Sequence, residues 1–491
     1  MSTPASTPSF LATRRGKLTL VLLAAIAFLD FVDASITNIA LPSIRHDLGV
    51  SVQDLQWVPS GYLLTYGGFM LLGGRAADLL GRRAVLVAGM SVIGISSLIG
   101  GIAGSPGVLI ASRLAQGLGA AMTLPAALSI LTTTFKEGSD RTKALGIWGA
   151  AGALASAAGV MLGGLLTEGP GWRWVFFVNP IVVVLLLLAT FRLISGERPN
   201  AQRLRNFDIP GAVLATGGML LLVYTLVKAP DIGWGTGRTI AGLAGALALL
   251  ATFVVNELRS RNPIAPLSIF RINGLGFADA TQLIAFAGFL AMFFFLTLYM
   301  QNVLGLSAIQ TGAAYLPLTF VGGIAAGASS QLVSRVGTRP VIVAGAVISA
   351  AGLYWLSRIP ADGSYFGSVL PGMLVLSLGF GPVFVGVTTA ANAGVPADKA
   401  GLAAALLNAS QQLGGALGLA IFSALATSRT HDLLAAHTPP AEALTSGFQR
   451  ALLAGSIFIL ASAVIALRAT NTRGETPDAA AHRPVPVPEG A

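Results

Sequence analysis

Apolar runs of about twenty consecutive residues recur along the whole chain, and they restrict its fold more than any other feature. A helix of about twenty residues crosses the ~30 Å hydrocarbon core of a bilayer. The runs lack the period-two alternation of barrel strands, so they predict helices. The sequence therefore predicts an all-α membrane protein of about fourteen transmembrane helices. The predicted spans are 18–41, 54–77, 84–104, 107–133, 144–167, 172–194, 209–228, 238–258, 275–303, 310–333, 340–357, 366–391, 400–427 and 447–468.

The distribution of charge supports this fold and orients it. Only 10% of the 491 residues are charged, against about 25% in soluble domains. With the N-terminus inside, 22 of the 30 basic residues lie at the cytoplasmic face and seven at the exterior face. The positive-inside rule thus predicts that both termini are cytoplasmic, and it explains the net charge of +10 without a nucleic-acid partner. The seven exterior residues are Arg45, Arg173, Lys228, Arg238, Arg358, Arg429 and Arg450.

Several kinds of chemistry have no support in the sequence. The chain contains no cysteine, and its four histidines fall in predicted loops or the C-terminal tail without metal-ligand spacing. It contains no Walker A sequence and no GxSxG nucleophile elbow. The first apolar run is long and contains acids, so we interpret it as an uncleaved first span. We therefore expect no metal, no cofactor, and no ATP-driven or hydrolytic reaction.

A short basic turn occurs twice at matching positions. The sequence GRAADLLGRR ends at Arg83, and SQLVSRVGTR ends at Arg339. When the two are aligned, Gly81 coincides with Gly337, and each turn follows the second helix of a possible six-helix group. The predicted division is a disordered cytoplasmic tail at 1–17, a six-helix bundle at 18–195, a linker with two inserted helices at 196–260, a second six-helix bundle at 274–469, and a disordered cytoplasmic tail at 470–491.

The first of these turns resembles the signature loop of the major facilitator superfamily. The residues that carry the resemblance are Gly74, Asp78, Gly81, Arg82 and Arg83. A charge at a cytoplasmic helix end can pair with basic residues and hold one transport conformation, so we predict that these five residues form a conformational gate. Topology and tight-turn geometry alone are the alternative explanation.

Other segments are similar to the fourteen-span drug:proton antiporter branch of that superfamily. DASITNIALP, from Asp33, resembles the pattern LDxTxxNxALP in span one, and RLAQGLGAA, from Arg113, resembles RxxQGxGAA in span four. WRWVFFVNP at 172–180 and NASQQLGG at 408–415 are also similar to segments of the branch. Span five departs from the usual GxxxGPxxGG, because Ala155 replaces its first glycine and Val160 its proline.

The resemblance implies an exporter in a bacterial cell membrane that works by alternating access. Its substrates would be amphipathic, often cationic, drugs or related small organic molecules, exchanged for protons. The resemblance implies no cofactor beyond the coupling proton, and function as a monomer. Two other interpretations stay open. A proton-coupled importer of a small metabolite uses the same fold, and a non-transporting membrane receptor or scaffold would not need acids in the bilayer.

Ionisable residues at membrane depth are costly and are functional candidates by default. Asp30, Asp33 and Thr37 are spaced i, i+3, i+7 and share one helical stripe. Two carboxylates one turn apart repel each other and are costly to ionise away from water, so we expect at least one to bind and release a proton. Asp33 is the stronger candidate because it belongs to the resembling motif, which also implies a proton-transfer role for Arg113. The alternative is that one acid only forms a structural pair with Arg113.

Further polar residues on the predicted spans suit a central substrate cavity, since polar side chains avoid lipid. Hydrogen bonding between helices is an equal alternative for those on spans nine and thirteen. Aromatic residues near Phe286 suit an apolar part of the cavity, although such stripes more often face lipid or the protein core. The predicted cavity residues are Asp30, Asp33, Asn38, Gln116, Asp279, Gln282, Phe286, Asn408, Gln411 and Gln412.

Overall fold

The structure, a computed structural model, describes residues 10–135, 139–196, 208–260, 263, 269–270, 272, 274–395 and 400–473. Within these ranges the regular secondary structure is helical, with no strand. Most of the two predicted tails lies outside the described residues. The α-helices in these ranges are α1 (Arg14–Leu48), α2 (Val52–Leu55), α3 (Trp57–Leu80), α4 (Arg82–Gly101), α5 (Pro106–Thr134), α6 (Ser139–Glu168), α7 (Trp174–Leu193), α8 (Ile209–Ile232), α9 (Gly237–Arg259), α10 (Leu275–Asn302), α11 (Ala308–Ala314), α12 (Leu316–Val336), α13 (Thr338–Leu356), α14 (Leu370–Asn392), α15 (Ala400–Ala435) and α16 (Pro440–Ala466).

In the described part of the chain, thirteen helical segments are long and apolar enough to cross a membrane, and α11 and α12 together form one of them. Helix α3 is less apolar because it carries Ser60, Tyr62, Thr65 and Tyr66, all buried. It is nevertheless 24 residues long and packs along α5 inside the bundle. With α3 the described residues form fourteen spans, so the predicted all-α membrane fold is confirmed. Successive spans alternate in direction, so α1 begins and α16 ends on one side, here called the terminal side; the opposite side is the distal side.

Helix packing falls into two groups with a pair of helices beside them. Helices α1 and α3–α7 pack mainly on one another, and α10 and α12–α16 form the second group. Helices α8 and α9 pack together, and α8 contacts α3 and α15, one helix from each group. This arrangement accommodates the predicted domain limits, which stay a prediction.

The two turns that match in sequence also match in conformation. Gly81 between α3 and α4 has a φ of 97°, and Gly337 between α12 and α13 has a φ of 90°, values that favour glycine. The Arg83 guanidinium lies 5.0 Å from the ring centroid of Phe191 in α7. The Arg339 guanidinium donates to a backbone carbonyl just after α16, at 3.1 and 3.2 Å. Each turn arginine therefore contacts the last helix of its own group or the residues directly after it.

The two groups meet on the distal side. Gln301 of α10 donates from Nε2 to the backbone oxygen of Ile39 in α1 at 3.0 Å. Gly312 of α11 lies so close to α6 that an added Cβ would be 2.5 Å from the backbone oxygen of Val160. Helices α1, α6, α10 and α11 thus close the distal end of the interface between the groups.

Candidate functional site

A buried ion pair joins α1 to α5. Nη1 of Arg113 lies 2.8 Å from Oδ2 of Asp33, and the two side chains are 1% and 5% exposed. The Arg113 Nε donates to the backbone oxygen of Val58 at 3.0 Å, and its guanidinium lies over the Tyr62 ring, 4.4 Å from the centroid. An acid, a carbonyl and an aromatic face therefore surround the positive charge, which holds it in one position.

Three neutral side chains complete the surroundings of Asp33. Gln116 of α5 donates from Nε2 to Oδ1 of Asp33 at 3.2 Å, and Asn179 of α7 donates to the same oxygen. Both amides also donate to Ser97 Oγ of α4, at 2.6 and 3.2 Å. Arg113 donates to Gln116 Oε1 at 2.8 Å. Asp33 thus accepts hydrogen bonds from three side chains, which hold its carboxylate in one position.

Asp30 lies one turn before Asp33 and has different partners. Its Oδ1 accepts from the Tyr62 hydroxyl at 3.2 Å, and its Oδ2 accepts from the Tyr66 hydroxyl at 2.8 Å. The next residue on α3, Gly67, packs against α15 of the other helix group, since an added Cβ would lie 3.0 Å from the Gln412 Cβ. Asp30 is 5% exposed. Among the described residues it has no basic partner, so only phenols are available to stabilise its negative charge.

A small cavity of ≈10 Å³ lies between the two acids. Asp30, Asp33, Tyr62 and Thr123 line it together with aliphatic side chains. This volume is about the space that one water molecule needs. Thr37, predicted on the same stripe, donates to the backbone oxygen of Asp33 at 3.1 Å and not to its carboxylate. The stripe therefore brings two titratable groups to one cavity, while the threonine bonds within its own helix.

The other predicted polar residues are only partly connected. Gln282 of α10 donates from Nε2 to Oε1 of Gln411 in α15 at 3.2 Å. Asn38 and Asn408 each donate to a backbone oxygen four residues earlier in the same helix, at 3.1 and 2.9 Å. The structure therefore joins the two glutamines between helices, and it keeps the two asparagines apart from the acid network.

Asp279 stands alone near the start of α10. Asp279 is 5% exposed, and neither of its carboxylate oxygens has a hydrogen-bond partner in the described part of the chain. A buried carboxylate without partners is costly unless it binds a proton or a cation. Asp279 therefore remains a candidate for either ligand, one turn from Gln282 on the same helix.

Aromatic residues form a continuous cluster in the second helix group. The rings of Phe289 and Phe380 stack, with centroids 3.6 Å apart and planes within 5°. Phe286 lies 6.0 Å from Phe289, and Phe293 lies 5.1 Å from Phe289 and 4.9 Å from Tyr315. Tyr315 is fully buried, whereas the four phenylalanine rings from α10 and α14 are partly exposed and form an apolar wall that a flat organic molecule could contact.

The predicted gate residues lie in the last two turns of α3, at Gly81 and at the start of α4, on the terminal side. Gly74 packs near Pro125 of α5, since an added Cβ would lie 3.5 Å from the proline Cβ. Arg82 is the first residue of α4. Asp78 belongs to the last turn of α3, but its side chain lies outside what the structure describes. Their role as a gate stays a prediction.

The structure adds residues that sequence reasoning missed, namely Tyr62, Tyr66, Ser97, Asn179 and Phe380. Tyr62 and Tyr66 are spaced i, i+4 on one face of α3, which is the signal that could have paired them with an acid on a neighbouring helix. Asn179 occurs in a segment noted only for its resemblance. Within the described ranges, no group of three or more histidine, aspartate or glutamate side chains could hold a metal ion.

Comparisons with known proteins agree with this fold. A family model described as Major Facilitator Superfamily matches residues 23–419. The chain is 40% identical over 451 residues to the cephamycin export protein CmcT of Amycolatopsis lactamdurans, covering 91% of each chain. It is 37% identical over 468 residues to the puromycin resistance protein pur8 of Streptomyces alboniger, covering 94% of this chain and 92% of that relative.

Solved structures show the same fold at low identity. A crystal structure of a D-xylose-proton symporter has a TM-score of 0.65 at 14% identity, covering 94% of this chain and 99% of that one. A bacterial homolog of the human lysosomal transporter Spinster, in an inward-facing and occupied conformation, also has a TM-score of 0.65, at 15% identity and covering 93% of this chain and 97% of that one.

Proposed function

Because the chain belongs to the major facilitator superfamily, we propose that it is a proton-coupled exporter of small amphipathic, often cationic, organic molecules that works by alternating access. It is a multi-pass membrane transporter and not an enzyme. The observation that carries the coupling proposal is a pair of buried acids, Asp30 and Asp33, of which one has a basic partner and the other has only phenols. The relatives named for cephamycin export and puromycin resistance support antibiotic-like substrates, and they favour export over import or a receptor role.

Asp30 and Asp33 have different roles in proton coupling. Arg113 and two amides donate to the Asp33 carboxyl group and fix its position. The phenols beside Asp30 can donate to a carboxylate, and a phenol oxygen can also accept from the protonated acid. Asp30 can therefore gain or lose a proton without losing its partners. When it loses the proton, a second negative charge appears one helical turn from Asp33, and the two carboxylates compete for Arg113.

This charge change would reach the interface between the helix groups through Tyr66. Its hydroxyl donates to Oδ2 of Asp30 at 2.8 Å. Gly67, the next residue on α3, lets α15 approach closely, since an added Cβ would lie 3.0 Å from the Gln412 Cβ. A change in the charge of Asp30 therefore alters a contact between α3 and α15. Such a contact can favour one of two arrangements of the groups.

Substrate would lie against the aromatic wall formed by Phe286, Phe289, Phe293 and Phe380. The faces of aromatic rings attract organic cations, and their area suits flat apolar molecules. The amide of Gln411, which is partly exposed and held by Gln282, would offer hydrogen bonds to polar groups of the substrate. This combination favours recognition by shape and charge rather than by one fixed set of hydrogen bonds.

We further propose that the terminal side faces the cytoplasm, because the basic residues concentrate there. The distal contacts would then close the outer end of the transport path in this conformation. Both helix groups belong to one chain, which suits a functional monomer.

The test is proton-driven uptake of a fluorescent amphipathic cation into inverted membrane vesicles. One proton moving through 100 mV releases ~2.3 kcal/mol, enough for a roughly fifty-fold gradient of a neutral substrate. Exchange of one proton for one monovalent cation moves no net charge, so an inside-acid pH gradient drives the uptake of this probe. We expect Asp30→Asn to lose accumulation against a gradient while keeping downhill counterflow, because an amide cannot carry a proton. Asp47→Asn is the matched control: it changes an acid at the distal end of the same helix, outside the network, where Asp47 pairs with Arg173.

Two outcomes would contradict the proposal. If Asp30→Asn concentrates substrate as well as wild type, Asp30 does not carry the proton in the transport cycle. If Asp30→Asn and Asp33→Asn both pump normally, the coupling site lies elsewhere in the chain. If Asp47→Asn loses accumulation to the same extent as Asp30→Asn, the loss is not specific to Asp30.

A further inference from the structure

Three arginines of the distal side meet around a surface pocket between α13, α15 and α16. Arg358 follows α13, Arg429 lies near the end of α15, and Arg450 lies in α16. The pocket has a volume of ≈590 Å³. Since only seven basic residues are predicted on the distal side, this pocket gathers a large share of that charge. Its other lining residues are Ser357, Ser446, Gln449 and Leu453.

Hydrogen bonds orient two of the three arginines, and no carboxylate among the described residues pairs with any of them. Arg429 donates from Nε to Ser446 Oγ at 3.3 Å. Arg358 donates from Nη2 to the Tyr354 hydroxyl at 2.7 Å and lies over that ring, 5.0 Å from its centroid. In the described residues, neither these two nor Arg450 takes part in an ion pair. The acidic residues on the flanking elements, none of them paired with these arginines, are Asp362, Asp432 and Glu442.

The pocket lies at the level of a membrane–water boundary. Helix α13 ends at Leu356, and its last turn presents Tyr354 and Trp355, which are 47% and 50% exposed. Exposed tyrosine and tryptophan at the end of a spanning helix mark the interface with lipid headgroups. The guanidinium groups of Arg358 and its two partners therefore lie where headgroup phosphates are found.

An exposed apolar stripe runs from the pocket along α16. Its residues are spaced i, i+4, i+7 and i+11, so they share one helical face and extend for ~16 Å. The stripe begins at Leu453, which also lines the pocket. Its members, with their exposed fractions, are Leu453 37%, Ile457 59%, Leu460 48% and Val464 64%. A basic pocket that continues into a lipid-facing stripe suits a molecule with an anionic head and an apolar chain.

We propose that this pocket binds the phosphate headgroup of an anionic phospholipid in the distal leaflet, with one acyl chain along the α16 stripe. Guanidinium groups donate in pairs to phosphate oxygens, and they are less strongly hydrated than ammonium groups. The bound headgroup would link the distal ends of α13, α15 and α16 to one another. This site is separate from the acid network and does not depend on the proposed transport activity.

The test compares two variants that each lose two distal positive charges. Arg429→Gln/Arg450→Gln changes the pocket, and Arg45→Gln/Arg238→Gln is the matched control elsewhere on the same side. Native mass spectrometry of the purified full chain measures bound phosphatidylglycerol. Thermal unfolding is followed with added phosphatidylglycerol, phosphatidylcholine or inorganic phosphate. Each basic residue near an anionic lipid surface is worth about a factor of five in affinity, so the pocket variant should bind phosphatidylglycerol roughly twenty-five times more weakly.

We expect phosphatidylglycerol to stabilise the wild type and the control variant more than phosphatidylcholine does, and this difference to disappear in the pocket variant. An unchanged stabilisation of the pocket variant by phosphatidylcholine would show that it is folded. The proposal is overturned if the pocket variant retains phosphatidylglycerol as well as the control. It is also overturned if phosphatidylcholine stabilises the wild type equally well. If inorganic phosphate stabilises the wild type as much as phosphatidylglycerol does, the pocket binds a free anion and the lipid proposal is overturned.

Discussion

The buried pair of Asp33 and Arg113 makes a quantitative prediction about Asp33→Asn. Sequence alone suggests that an amide midway along an apolar span is easier to bury than a carboxylate. The structure reverses this expectation, because Arg113 is 1% exposed and Asp33 is its only acidic partner among the described residues. Removing one partner of a buried ion pair typically costs 3–5 kcal/mol. The new amide oxygen can still accept from Arg113, so we expect a loss of about 3 kcal/mol in the free energy of unfolding.

A double variant separates the ion pair from the coupling function. Asp33→Asn/Arg113→Gln removes both charges and leaves neutral side chains that can hydrogen-bond to each other. Replacing a whole buried pair is often close to neutral, so the double variant should lie within about 1 kcal/mol of wild type. The free energies of the two single variants should therefore not add, and the interaction energy should exceed about 2 kcal/mol.

Stability is measured by unfolding in detergent for the wild type, Asp33→Asn, Arg113→Gln and the double variant. Proton-driven uptake into inverted vesicles is measured for the same four proteins. We expect the double variant to recover stability but not accumulation, because a neutral amide at position 33 cannot respond to the charge of Asp30. A single Asp33→Asn variant as stable as wild type would refute the argument about the stranded Arg113. A double variant that pumps normally would show that the charge at position 33 is not needed for coupling.

Two further predictions concern the terminal side. Arg83→Ala or Asp78→Asn should slow transport several-fold with little change in substrate affinity, since the turn lies far from the aromatic wall. Substrate binding and substrate exchange across the membrane are measured in parallel, with Arg75→Ala, at an exposed position, as the control. A large loss of binding at a normal exchange rate would contradict the role as a gate. Reporter fusions at Arg205 and Lys399 should both give cytoplasmic signals, because the positive-inside rule places these loops inside; a periplasmic signal at either position would overturn the span assignment.

The sequence alone determined the all-helical membrane fold and its approximate number of spans, because the apolar length of a helix is a local property. It did not determine where helices end. Helix α15 continues to Ala435, beyond the predicted 427, and the predicted tenth span divides into α11 and α12 before Pro317. Hydropathy marks the hydrocarbon core, whereas hydrogen bonding continues a helix into water.

The sequence also identified the titratable residues of the candidate site, since acids in an apolar run are conspicuous. Only the tertiary structure decided their partners. Asn179 reaches Asp33 across 146 positions in the chain, and Tyr66 reaches Asp30 across 36. Gly67 of α3 and Gln412 of α15, which lie against each other, belong to different helix groups. Such pairs depend on how helices pack and rotate against one another. The periodicity of a single helix shows which of its faces is polar, but it does not show which face of another helix that polar face contacts.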